Sequence, residues 1–119
     1  MIRANGVKKA FGEKVVLHGI DAEFQSGQVN FIIGRSGSGK SVLTKCMVGL
    51  LEVDSGRVQY GDSVFSELNR RDREAVRREI GMLFQGGALF DSMTVLENVE
   101  FPLRMFSDMT EEERLERAM

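Results

Sequence analysis

Tryptophan is absent from this 119-residue chain, and tyrosine, histidine, cysteine and proline occur once each. The lone cysteine, Cys46, leaves no partner for an internal disulfide, which is consistent with a reducing compartment. Its neighbours place it on the apolar face of a helix, as a small core residue rather than a reactive thiol. No run approaches the ~18 consecutive apolar residues of a membrane-spanning helix. The opening Met1-Ile2-Arg3-Ala4-Asn5-Gly6 lacks the apolar stretch of a signal peptide. A net charge of −2 gives no general pull towards nucleic acid or anionic membrane. These absences predict one small cytoplasmic domain without direct membrane insertion, any membrane role being reached through a partner.

Glycine is plentiful, and its placement is informative. Gly34-Arg35-Ser36-Gly37-Ser38-Gly39-Lys40-Ser41 fits G-x-x-x-x-G-K-[ST] in full. The apolar run Val29-Asn30-Phe31-Ile32-Ile33 before it reads as a buried strand, and residues 42–50 after it read as a helix. Glycines let the backbone curl so that successive N–H groups converge on phosphate oxygens, and the helix start adds its positive end. Lys40 is placed to reach the β- and γ-phosphates, and the Ser41 hydroxyl to hold Mg²⁺. A nucleoside triphosphate is the predicted ligand.

Around this loop the patterning predicts an α/β fold. Residues 7–11 and 15–24 read as antiparallel strands punctuated by Gly12-Glu13-Lys14 and His18-Gly19. Residues 57–60 form another strand closed by Gly61-Asp62, and residues 67–79 a charged helix with a thin stripe of Leu68, Ala75, Val76 and Ile80. Gly81-Met82-Leu83-Phe84 reads as a short buried strand. Thr94-Val95-Leu96-Glu97 is a capping-box pattern opening a brief helix that Pro102 is expected to stop, and Thr110-Glu111-Glu112-Glu113 opens a last one. A partly parallel sheet is expected around the phosphate loop, with an antiparallel layer from the N-terminal strands. The second acidic strand that a phosphate-loop hydrolase needs has no good match in Leu50-Leu51-Glu52-Val53-Asp54 or Ala88-Leu89-Phe90-Asp91.

The octet, the strands before it and Leu83-Phe84-Gln85 together resemble the ATP-binding subunit of ABC transporters, over about its first half. The resemblance implies ATP with Mg²⁺ as ligand and a phosphate-loop NTPase core with an antiparallel β subdomain over residues 1–84. It further implies a glutamine loop and the start of a helical subdomain over residues 85–119, the chain being cut before that subdomain is complete. Phe11 stands where the family stacks an aromatic on adenine, and Val16 where it puts a small apolar contact beside the base. Residues Gly34, Arg35, Ser36, Gly37, Ser38, Gly39, Lys40 and Ser41 match the triphosphate cradle. Gln85 matches the glutamine that reaches the Mg²⁺ and attacking-water region. The signature motif, catalytic glutamate and switch histidine have no counterpart, so no catalytic residue is assigned and binding without hydrolysis is expected.

The family also implies a homodimer of nucleotide-binding subunits in the full-length protein. A transmembrane permease subunit would be met through the segment from Gln85 to Arg104, leaving the subunit peripheral to the inner membrane. Within that segment, Gly86-Gly87-Ala88-Leu89-Phe90-Asp91-Ser92 is similar to the Mla- and Mce-type ATPases of phospholipid transport. Another ABC system, such as an amino-acid importer or lipoprotein extractor, is the alternative, followed by a non-transport ATPase of the same fold. His18 lies too far upstream to be the switch histidine and is read as a surface or structural residue. Arg70, Arg71, Arg73, Arg77 and Arg78 interleave with Asp72, Glu74 and Glu79, the pattern of a solvated helix face rather than a nucleic-acid patch.

Overall fold

Alternating apolar and polar residues on either side of Gly12 produce a long hairpin of β1 (Ile2–Phe11) and β2 (Lys14–Phe24). Gly12 takes φ 62°, a left-handed conformation that suits glycine in a two-residue turn. The computed structural model describes residues 1–84 and 87–119. They form two units, Met1–Gly81 and Met82–Met119.

In the first unit, β3 (Ser55–Tyr60) lies antiparallel on the other side of β1, and β4 (Ser63–Val64) pairs with β3. The sheet order is β2-β1-β3-β4. One face of the sheet carries Ala4, Val7, Leu17 and Val58, which bury against Phe65 and α1 (Lys40–Met47). On α1 the inward residues are Leu43, Cys46 and Met47, at the three- and four-residue spacing of one helix face. Val7, Val58 and Phe65 are essentially inaccessible, and each such side chain contributes about 1.5–3 kcal/mol. Cys46 sits in this core as expected, and burial pushes its thiol above the ordinary value, keeping it protonated. The Tyr60 hydroxyl donates to the Met47 carbonyl at 2.6 Å while its ring packs on Phe65, centroids 5.1 Å apart. That contact closes the last turn of α1 onto the sheet.

Register within the β1–β2 pair is interrupted. Lys9 faces Leu17 and Ala10 faces Val15, so Val16 is an extra, bulged residue; Val7 faces Ile20 and Lys8 faces His18, leaving Gly19 as a second. The His18-Gly19 break is therefore a bulge inside one continuous strand, with His18 exposed.

Three expected elements take another form. Residues 29–33 form no strand, with Phe31 80% and Ile33 92% exposed. Residues 81–84 likewise form no strand, and Leu83 is 90% exposed. A strand exists only with a hydrogen-bonded neighbour, and the sheet of the described residues is antiparallel throughout and takes in neither segment. The charged helix is shorter: Phe65–Glu67 is a 3-10 turn, Leu68 is extended, and α2 spans Arg70–Arg77. Asn69 sets its start by accepting from the Asp72 amide at 2.9 Å. Leu68 and Val76 still reach the core, as the stripe required.

The second unit is built on α3 (Val95–Phe106) and α4 (Glu111–Ala118). Both begin with complete capping boxes, Thr94 with Glu97 and Thr110 with Glu113. Pro102 does not stop α3, which continues one turn beyond it. An interior proline costs about 3 kcal/mol, and contacts on both sides of it offset that cost. Glu100 and Arg104 pair at 2.6 Å across the proline, and the Arg114 Nε reaches Glu100 from α4 at 2.5 Å. Glu100 is 4% exposed and takes both guanidinium groups, Arg114 also donating to the Met109 carbonyl at 2.9 Å. Upstream, the Asn98 amide holds the Phe90 N–H at 2.8 Å and the Thr94 carbonyl at 2.9 Å, and Phe90 packs on Phe101.

Two outcomes test these contacts. A Cβ at Gly56, whose φ is 87°, would collide with the Gly6 backbone, whereas one at Gly6, φ 57°, meets open space. Gly56→Ala should lower stability by about 2–4 kcal/mol and Gly6→Ala by about 1 kcal/mol, read from urea midpoints. The Arg114 and Arg104 guanidiniums hold the Glu100 carboxyl below its ordinary value of 4.5. A depressed folded pKa means the stabilisation is complete above 4.5 and fades as pH falls through the lower folded value. Wild type should therefore lose helical circular dichroism on acidification below that point, and Glu100→Gln should lack this component.

Candidate phosphate-loop site

The octet makes a compact turn into α1. The Ser38 amide bonds the Arg35 carbonyl at 3.1 Å, and Gly37 (φ 79°) and Gly39 (φ 102°) carry the left-handed steps. A Cβ at Gly39 would come within 3.1 Å of the side chains of both Val16 and Leu17. Glycine is therefore required twice there, by conformation and by closeness to β2. The bulge at Val16 turns that residue towards the loop, so Val16 and the octet come together. A second close approach occurs across the loop mouth, where a Cβ at Gly34 would meet Ser38 Oγ at 2.6 Å.

The start of α1 is electrostatically open. Its N-cap, Gly39, offers no side-chain acceptor, and no acidic residue stands in the first turn. The helix's free N–H groups and positive end therefore face outward uncompensated, an arrangement suited to an anion. Lys40 Nζ folds back onto the Gly34 carbonyl and spans the loop. Thr44 Oγ1 donates to the Lys40 carbonyl at 3.0 Å, steadying the first turn. Ser41 is exposed beside Lys40, and Gly34 to Ser38 are exposed as well. Phosphate oxygens fit this cradle: they would accept from the loop amides and draw the Lys40 ammonium from Gly34. Among the described residues no cluster of His, Cys, Asp or Glu forms a metal site. Of the described residues expected to serve a divalent cation, Ser41 stands exposed at this loop.

Beside the loop, a cavity of about 560 Å³ opens between β2 and residues 30–34, lined by residues that include Ile20, Phe24, Phe31, Ile33, Gly34 and Lys40. Its wall mixes apolar side chains with Glu23 and Asn30, and the octet end carries the phosphate-type donors. Asn30 fixes the approach to the octet, its Nδ2 donating to the Gln25 carbonyl at 3.0 Å and to that of Gln28 at 3.2 Å.

Phe11 ends β1 at the hairpin tip, 47% exposed, with Lys9 Nζ 5.6 Å from its ring centroid. It faces Lys14, and the Ala10–Val15 pair stands between it and the Val16 bulge. Gln85, with Gly86, lies outside the described residues. Asp54, weighed in the sequence only as the acidic end of residues 50–54, instead bonds the Ala10 amide at 2.7 Å and Lys9 at 3.3 Å. For this role on β1 the sequence offers only a polar residue just before the Ser55-Gly56 turn.

A glycine-rich, lysine-bearing turn that opens directly into a helix is the loop-to-helix half of a phosphate loop, and here it packs on an antiparallel sheet. The profile of the family described as ABC transporter matches residues 17–119. The chain belongs to the ABC transporter family. It is 39% identical over 118 residues to the methionine import ATP-binding protein MetN of Rhizobium johnstonii, covering 99% of this chain and 32% of that protein. It is 35% identical to the probable ribonucleotide transport ATP-binding protein mkl of Mycobacterium bovis, covering 94% of this chain and 31% of that protein. The ATP-binding cassette MJ0796, solved as a dimer in a post-hydrolysis state with ADP and Pi, superposes with a TM-score of 0.87 at 32% identity. That alignment covers 99% of this chain and 54% of the solved one. The chain thus spans about a third of the curated relatives and about half of the solved cassette. The ATP-binding-cassette fold expected from the sequence is present. Among the described residues no helix is long and apolar enough to cross a membrane.

Proposed function

We propose that these residues bind ATP with Mg²⁺ as the nucleotide-holding part of an energy-coupling ABC transporter subunit. The observation that carries this reading is the uncapped start of α1, with Lys40 folded across an exposed glycine loop. In it, residues 34–41 cradle the triphosphate, Ser41 and Gln85 serve the metal, Phe11 and Val16 take the base, and no residue here is catalytic. The full-length protein would pair with a second nucleotide-binding subunit, as the dimeric MJ0796 cassette does. It would work from the cytoplasmic side on a transmembrane permease.

For the permease dock we retain the segment from Gln85 to Arg104. Leu89 and Val95 are 70% and 81% exposed, and Phe90 and Val99 are exposed as well. Apolar surface of this extent on a small unit favours cover by a partner. For the cargo, two readings stand. The likeness of residues 86–92 to Mla- and Mce-type ATPases supports phospholipid, and the names of the MetN relatives support methionine import. ATPase assays on the complete transporter separate them by whether phospholipid-loaded or methionine-loaded binding partners stimulate turnover.

Lys40→Ala should weaken Mg-ATP binding by about 1.5–3 kcal/mol, the scale of a lost hydrogen bond to a charged group, measured by titration calorimetry on folded protein. Unchanged affinity would remove Lys40 from the site. Leu89→Cys and Phe90→Cys, in a Cys46→Ala background that leaves no buried hydroxyl, should crosslink to the permease of the complete transporter. Their yield should depend on ATP. Failure there, while distant cysteines react, would place the dock elsewhere.

A further inference from the structure

Resting on the ATP-binding reading above, we propose that Asp54 is a positioning residue that sets the Phe11 platform for a purine base and ties it to the phosphate loop.

Three contacts meet at this residue, and a fourth extends them to Phe11. Asp54 Oδ2 accepts from the Ala10 amide at 2.7 Å, and Oδ1 accepts from Lys9 Nζ at 3.3 Å. The Asp54 amide donates to the Lys8 carbonyl at 2.9 Å. Lys9 Nζ in turn lies over the Phe11 ring, inside the distance of about 6 Å at which a cation and an aromatic face attract.

The register explains why a side chain is needed. The pairing of β1 with β3 ends at Lys8 and Ser55. Beyond that point residues 9–11 have no backbone partner on the β3 side, and the tip would be free to splay. The Asp54 carboxylate extends the ladder by one acceptor and holds residues 8–10 in line. Its charge also draws the Lys9 ammonium, 14% exposed at the side chain, onto one face of Phe11. A base must then stack on the opposite face, and a cation behind the ring orients that stack without competing for it.

The same residue communicates with the phosphates through a short path. After α1, the Leu50 and Leu51 amides bond the Lys45 carbonyl at 2.9 and 3.2 Å, so the segment leading to Asp54 is fixed to the helix whose other end is Lys40. Gly39 and Val16 make a second bridge between that helix start and the hairpin. Two struts, one at each end of α1, thus set the spacing between a base on Phe11 and a triphosphate on the octet. The Asp54 carboxyl is held below its ordinary range by the Ala10 amide and by Lys9, so the strut stays charged at neutral pH.

The test compares ATP with inorganic tripolyphosphate, which shares the phosphates and lacks the base, by calorimetry on the 119-residue chain. Asp54→Ala should lose about tenfold in ATP affinity while tripolyphosphate binding stays within about twofold, and Asp54→Asn, keeping the acceptor for Ala10, should fall between. Thermal melting checks that each variant is folded. Should Asp54→Ala not fold, Lys9→Gln leaves the Asp54–Ala10 bond intact and should cost about threefold for ATP alone. Equal losses for both ligands, or none for either, would overturn the positioning role. If wild type binds ATP no tighter than tripolyphosphate, the base platform fails while the phosphate loop stands. If wild type binds neither, the ATP-binding reading fails and this inference falls with it.

Discussion

The docking of α1 on the sheet is the constraint on which the rest of the first unit depends. Leu43, Cys46 and Met47 bury one helix face against Ala4, Val7, Leu17 and Val58, and Tyr60 closes the far end onto the Met47 carbonyl. With the helix axis fixed, its uncapped start can point in only one direction. Gly39 then lets the helix begin within van der Waals reach of β2, and any larger residue would push it off Val16 and Leu17. The phosphate-type donors are therefore held by apolar packing behind them, a dry support for a wet site. This separation suits a loop that must exchange ligands without moving its scaffold.

Charge plays a different part in each unit. In the first, Arg73 spans Glu52 and the Ser66 carbonyl and lies over the Phe65 ring, locking α2 to the edge of the core. Its Nε and that of Arg77 remain buried without a partner among the described residues, and nothing in the structure accounts for them. In the second unit the apolar core is thin, chiefly Phe90 on Phe101, and a buried carboxylate between two arginines takes over much of its role. Removing one partner from such a cluster leaves an uncompensated buried charge, so its members stand or fall together. The exposed apolar surface of that unit is what supports the dock proposed above.

Local signals with a local physical cause were legible in the sequence. Both capping boxes formed as read, because the side chain and the amide it satisfies are three residues apart. Glycine and lysine spacing marked the octet and the helix after it, because that turn needs conformations only glycine takes easily. Cys46 was placed in the core by helical periodicity alone. The strand readings of residues 29–33 and 81–84 erred because apolarity states only that a segment wants cover. Pro102 erred in the other direction: its local penalty is real, but the Glu100, Arg104 and Arg114 cluster outweighs it.

What the sequence determined by itself, then, was the octet and the helix starts set by capping boxes, each of which depends on residues within a few positions of one another, and the family, which several such local motifs mark in order. Tertiary structure alone decided that Val16 bulges towards Gly39, that Asp54 reaches the tip of β1, and that α3 continues through its proline. Each of those joins residues far apart in the chain, or on separate elements, through register and packing. A one-residue shift in strand pairing would reverse the face on which a side chain lies, and no local pattern records that shift.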